Sequence, residues 1–203
     1  MTDLGPWDAL LPCQVAGLWA RRREQTRWWI AGGYAIELFL GHSVREHGDI
    51  DILVLRRDQH VVHEVLPGWD IQAADAPGQL RPWPPAEILP EHVHDIWCRE
   101  GSSAPWRLQV MLDDADGEEW FSRRDPRVRR PVHQLGRVSR QGWPYLAPEV
   151  QLFYKATSAD QLANDEIDFT AALPMLDPTQ RAWLDDALSL TLPSHPWRRA
   201  LHP

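Results

Sequence analysis

Apolar positions along this chain recur with two different periods, and each change of period marks a new element. Leu10, Leu11, Val15, Leu18 and Trp19 fall at helical spacing and predict a first helix within residues 8–25. Trp28 to Ala31 is a continuous apolar run that ends in Gly32-Gly33, as expected of a short buried strand. Helical spacing returns from Gly33 to Leu40, and Gly41 is placed to stop that helix. Asp49 to Leu55 alternates polar and apolar before turning fully apolar, which predicts a second strand. A helix over Asp58 to Val65, with Asp58 as N-cap, and a short strand over Trp69 to Ala73 complete a β-α-β-α-β opening.

The pattern then loosens. Residues 74–90 are rich in proline with few apolar anchors and read as a loop. Residues 92–98 and 106–112 alternate, and predict two strands of a hairpin. From Pro148 onward the spacing is helical: Glu149 to Ala159, Asp165 to Leu173, and Pro178 to Leu190, with Pro174 and Pro178 separating the last two. The expected organisation is an α/β part over residues 1–145 and a helical region over residues 146–203.

Composition narrows the function classes. A chain of 203 residues with 43% hydrophobic and 25% charged residues is ordinary for a soluble globular protein. Its net charge of −8 argues against a broad face for long nucleic acid, which needs a basic surface. It suits an enzyme of small molecules, including cationic ones. Cys13 and Cys98 are isolated thiols, which points to a reducing cytoplasm. No apolar run reaches membrane-spanning length, and the acidic, proline-containing start is unlike a signal peptide. Every basic residue is arginine except Lys155, a position where a compact ammonium is either required or a matter of chance.

The chemistry concentrates in residues 28–54. On a strand, residues two apart point the same way, so Asp49 and Asp51 present two carboxylates on one face, roughly 7 Å apart at the backbone. Two such acids can hold a hard cation such as Mg²⁺. Gly32 and Gly33 open a helix with bare backbone, which can receive phosphate oxygens. His47 shares parity with Asp49 and sits either at the mouth of that site or in a surface salt link. Lys155, on a helix, either reaches a triphosphate or pairs with Asp165 or Asp168, three residues apart on the next helix.

Other clusters read as structural. Arg123, Arg124, Arg127, Arg129 and Arg130 form a charge run that is expected on a solvated face, with phosphate gripping as the alternative. The segment Glu91-His92-Val93-His94-Asp95 has two histidines at strand spacing, but no further ligand spacing supports zinc. Trp83, Trp97 and Trp120 lie where an acceptor could stack.

The run Gly32-Gly33-x-Ala35-Ile36, followed by Arg45-Glu46-His47-x-Asp49-Ile50-Asp51, resembles the DNA polymerase β-like nucleotidyltransferase superfamily, and within it the aminoglycoside 2″-adenylyltransferase-like group. The resemblance implies an α+β fold: a polymerase β-like palm, with a mixed β-sheet and helices, followed by a small C-terminal helical part. It implies Mg²⁺ held by Asp49 and Asp51, and transfer of a nucleoside monophosphate, AMP from ATP, onto a hydroxyl of a small molecule such as an aminoglycoside. Gly32, Gly33, Arg45, His47, Gln109 and Lys155 would face the nucleotide and its metal. The family adds a third carboxylate on a neighbouring strand, where this chain has Gln109; Asp113, of the same parity, is the candidate substitute as a catalytic acid. Glutamine can offer a neutral oxygen but cannot act as a base. Two rival readings follow: a toxin–antitoxin type enzyme with a protein acceptor, and a degenerate member that binds nucleotide without turnover.

Overall fold

A computed structural model describes residues 4–20, 26–76, 78–158 and 163–202. In chain order the elements are α1 (Pro12–Trp19), β1 (Trp28–Ile30), α2 (Gly32–Leu40), β2 (Asp51–Leu55), α3 (Val61–Val65), β3 (Asp70–Ala76), β4 (Gln79–Pro82), β5 (Asp95–Arg99), β6 (Leu108–Asp116), β7 (Glu119–Phe121), β8 (Arg129–Pro131), β9 (Gly136–Val138), β10 (Pro144–Leu146), α4 (Pro148–Ala156), α5 (Ala163–Ala172), α6 (Pro178–Thr191) and α7 (Trp197–Leu201). The chain divides into two compact units. The first comprises the residues up to 31 with His47–Asp114, and the second comprises Gly32–Glu46 with the residues from 115 onward. The units therefore interleave in sequence, whereas the sequence pattern suggested contiguous parts meeting near residue 145.

The first unit is built on a sheet in the order β4-β3-β5-β6-β2-β1. It is mixed: β2 runs parallel to β6, and β1–β2, β6–β5, β5–β3 and β3–β4 are antiparallel. Ile52, Val54, Val110, Leu112, Ile96 and Cys98 alternate onto one face and are fully or almost fully buried. The opposite face carries the row Asp51, Gln109, Trp97 and Gln72, and beside it the row Leu53, Met111 and Asp95. Burial of one face and half-exposure of polar residues on the other is what a period of two produces.

Several boundaries differ from those the sequence suggests, for local reasons. The first helix is confined to Pro12–Trp19 with proline at its first turn, and residues 21–25 lie outside the described residues, as does Ala159. Asp58 does not cap a helix: Arg56–Asp58 form a 3₁₀ turn, and α3 starts only at Val61. The proline-rich stretch is not a plain loop, because β3 extends to Ala76 and pairs with β4. Pro82 is tolerated there since β4 is an edge strand of this unit's sheet. His92 to His94 precede β5 instead of belonging to it.

That segment is held by a buried arginine. Arg56 is 9% exposed; its guanidinium donates to Asp114 Oδ1 at 2.7 Å and to the carbonyls of Pro90, Glu91 and Val93. It also meets His94 Nδ1 at 3.1 Å, and the His94 carbonyl accepts the Leu112 N–H at 2.7 Å. The chain enters β5 on a rigid path as a result.

In the second unit, α4 and α5 pack with α2 and with each other, α6 packs on α4, and two hairpins, β7–β8 and β9–β10, precede them. These three-residue strands had no sequence signal long enough to read. Asp177 and Gln180 form a reciprocal capping box at the start of α6, with Pro178 at its first position. Three members of the arginine run are paired: Arg127 with Asp125, Arg129 with Glu119, and the half-buried Arg130 with the buried Glu149 at 2.9 Å.

Both cysteines are free. Burial pushes the Cys98 thiol up, and the charge of Asp70 adds to the effect. Iodoacetamide should label the exposed Cys13 in native protein and reach Cys98 only after unfolding, as read by peptide mass spectrometry. Native labelling of Cys98 would contradict its place in the sheet core.

Candidate active site

In the sheet unit, β2 begins at Asp51, and Asp49 lies just before it. Ladder pairing nevertheless continues upstream, since the Gln109 N–H donates to the Ile50 carbonyl at 3.0 Å. Side chains alternate across this segment: Asp49 is exposed, Ile50 is buried, Asp51 is half-buried and Ile52 is buried. Both carboxylates therefore lie on the side away from the apolar core. The Ala31 N–H donates to the Asp51 carbonyl at 2.8 Å, which ties the end of β1 to the acid pair.

Register decides the neighbours. Gln109 lies directly beside Asp51, and Asp113 beside Leu55. Asp113 is thus four residues along the strand from Asp51, about 13 Å at strand rise, and only 1% exposed. The structure brings Gln109 to the acid pair and does not bring Asp113 there. Gln109 in turn donates from Nε2 to Asp95 Oδ1 at 3.1 Å, across the β6–β5 pair. Asp95 was visible in sequence only as the end of a histidine-rich segment. Trp97 occupies the row of Asp51 and Gln109 and is half-buried, whereas Trp83 and Trp120 are core residues. His47 is half-buried. His92 pairs with Asp75 and His94 with Arg56, so they do not share a metal.

Two carboxylates with alternating apolar neighbours fit Mg²⁺, which takes hard oxygen ligands and keeps places for water and substrate phosphates. Among the described residues, no group of three or more His, Cys, Asp or Glu is arranged around a metal position.

In the helical unit, Gly32 opens α2 with a left-handed φ of 65°, a conformation that favours glycine. Its N–H donates to Gln151 Oε1 of α4 at 2.8 Å. Glu37 of α2 accepts from Ser43 Oγ and the Val44 N–H, fixing the turn that leads to Arg45. Arg45 makes a two-pronged contact with Asp168, both N–O distances being 3.0 Å. Lys155 Nζ lies 2.8 Å from both Asp165 and Asp168. Burial raises the Asp168 carboxyl, but the hydrogen bonds and charges of Arg45 and Lys155 outweigh it and hold it below the ordinary carboxylate range. Helical spacing puts Asp165 and Asp168 on one face of α5, and Lys155 reaches both from α4. The Arg45 contact spans 123 residues and has no local signal.

The model of the aminoglycoside-2″-adenylyltransferase family matches residues 17–76, fewer than half of the chain but including Gly32-Gly33, Arg45, Asp49 and Asp51. No curated protein matches the chain by sequence. Solved structures do. A crystal structure of ANT(2″)-Ia in complex with adenylyl-2″-tobramycin is similar with a TM-score of 0.58 at 14% identity, covering 88% of this chain and 97% of the other. A solution structure of the antibiotic-resistance factor ANT(2″)-Ia gives 0.57 at 14% identity, over 94% and 97%. The lincomycin-bound lincosamide antibiotic adenylyltransferase LnuA gives 0.53 at 15% identity, over 81% and 97%. This chain shares their fold. The mixed sheet and the helices expected of the palm are present, and no described helix is long and apolar enough to cross a membrane.

Proposed function

We propose that this protein is a Mg²⁺-dependent nucleotidyltransferase that moves a nucleoside monophosphate, AMP from ATP, onto a hydroxyl of a small antibiotic-like acceptor. The observation that carries the reading is the Asp49-Ile50-Asp51 segment at the β2–β6 pair, both acids turned from the core of the sheet. The family match over the same residues and the adenylyltransferase fold support it. The net charge of −8 suits a polycationic acceptor. Asp49 and Asp51 would hold the metal, which neutralises charge on the triphosphate. His47, close upstream of the acids, is a proposed contact of the bound nucleotide.

Phosphate contacts are proposed at the Gly32-Gly33 turn, Arg45 and Lys155. Gly32, Arg45 and Lys155 already have protein partners, so binding would exchange Gln151, Asp165 or Asp168 for phosphate oxygens. Lys155→Ala should therefore weaken ATP much more than AMP in calorimetric titrations. Equal losses, or none, would restrict Lys155 to its ion pairs.

One observation favours a second reading. Gln109 beside Asp51 removes a carboxylate from the position next to the pair, which is compatible with nucleotide binding without turnover. A single sequence of measurements separates the two. ATP, GTP, CTP and UTP are titrated with Mg²⁺, and the best binder is incubated with tobramycin and lincomycin and analysed by mass spectrometry. A nucleotidylated acceptor establishes the enzyme, and binding with no adduct and no pyrophosphate favours the second reading. Absence of nucleotide binding sinks both.

A further inference from the structure

Transfer onto a hydroxyl needs a group that takes the hydroxyl proton, and the sheet narrows the choice. On the face that bears Asp51, Gln109 cannot serve, because an amide is not a base. Asp113 is buried beside Leu55, far along the strand. Asp70 lies on β3, three strands from β2 and one strand farther from Asp51 than Asp95 is. Asp95 remains. It is half-buried and stands one row from Gln109, whose amide donates to its Oδ1.

We propose that Asp95 is the proton acceptor for the attacking hydroxyl and that Gln109 is its positioning residue. This rests on the nucleotidyl-transfer reading above.

Spacing agrees with a base that does not share the metal. Asp51 and Asp95 lie two strands and one row apart, about 12 Å at the backbone from strand spacing and rise. An attacking oxygen about 3–3.5 Å from phosphorus and about 2.6–3.2 Å from its base takes up roughly half of that distance. A metal ligand would have to come closer, and no three-acid group does so among the described residues. Arg56 holds the approach to β5 by donating to the carbonyls at positions 90, 91 and 93, two to five residues before Asp95. In the step itself, the hydroxyl oxygen bonds to the α-phosphorus. The bond from that phosphorus to the β-bridging oxygen breaks and pyrophosphate leaves. The hydroxyl proton passes to the Asp95 carboxylate.

The test compares wild type with Asp95→Asn, Asp95→Glu and Gln109→Ala. Transfer to tobramycin and lincomycin is read as pyrophosphate release, and Mg-nucleotide affinity is read by calorimetry with a non-hydrolysable ATP analogue. Asparagine keeps an acceptor for the Gln109 amide, so a structural role alone would leave kcat near wild type. The expected result is a fall in kcat of about 10²–10⁴-fold for Asp95→Asn at unchanged nucleotide Kd. Partial activity is expected for Asp95→Glu, and a loss of about 10–100-fold in kcat for Gln109→Ala. Wild-type kcat in Asp95→Asn overturns the inference. So does a loss of nucleotide affinity in Asp95→Asn equal to that in Asp51→Asn, which would make Asp95 a metal ligand. A wild-type protein that binds nucleotide but transfers nothing fails the parent reading, and this assignment falls with it.

Discussion

Asp51→Asn and Asp49→Asn should each abolish Mg-nucleotide turnover, lowering kcat/KM by at least ~10³-fold, while the protein stays folded. A bound metal contributes several kcal/mol of transition-state charge stabilisation, and about 4 kcal/mol corresponds to three orders of magnitude. Neutralising one of two carboxylates removes much of that site, because an amide oxygen is a weak substitute for a hard anionic ligand. Stability should change little. Asp49 is exposed and outside β2, and asparagine preserves the shape of both side chains. Calorimetry with Mg-ATP and thermal melts of both variants form the measurement. Unchanged Mg-ATP affinity in both would remove the metal from this position. A collapse of the melting temperature instead would mark the acids as structural.

Legibility in sequence followed the range of the interactions. The β1-α2-β2 segment was readable because its signals are local: a continuous apolar run, a glycine pair, helical spacing closed by Gly41, and the alternation of Asp49-Ile50-Asp51-Ile52. The β3–β4 hairpin was hidden because proline marks a loop in most contexts, yet an edge strand needs only one side of its backbone for pairing. The short hairpins of the helical unit carry too few residues to show a period.

The same division holds at the site. Asp165 and Asp168 stand three residues apart on one face of α5, which made them legible as joint partners for Lys155 of α4. The side chains that frame the sheet site do not follow from any local pattern. Gln109 meets Asp95 across fourteen residues, and Arg56 meets Asp114 across fifty-eight. Strand parity alone made Asp113 the natural substitute acid, since it is in phase with Gln109. Parity fixes the face but not the distance along it, and only the β2–β6 register distinguishes the two positions.

Asp168→Asn should destabilise the helical unit by about 3–5 kcal/mol, the range for removing one partner of a buried pair. Asp168 is fully buried, and it answers both Arg45, through two hydrogen bonds, and Lys155. Asparagine keeps the volume and removes the charge, leaving the two cations without their shared counter-ion. Lys155 keeps Asp165 at 2.8 Å, so the loss should fall at the lower end of the range. For a chain of this size that corresponds to a melting shift of about 6–12 °C. The pH dependence follows from the direction of the Asp168 shift. Its carboxyl is held below the ordinary value in the folded protein, so its contribution is complete above ~3.9 and is lost as acid titrates the folded group. Wild type should therefore lose stability below about pH 4 more steeply than Asp168→Asn, and the two denaturant midpoints should converge there. Adding Lys155→Met to Asp168→Asn should recover part of the loss, because an apolar side chain costs less at that place than an uncompensated ammonium. A loss under ~1 kcal/mol, the size of a solvent-screened surface pair, would place the cluster in water and not in the interior.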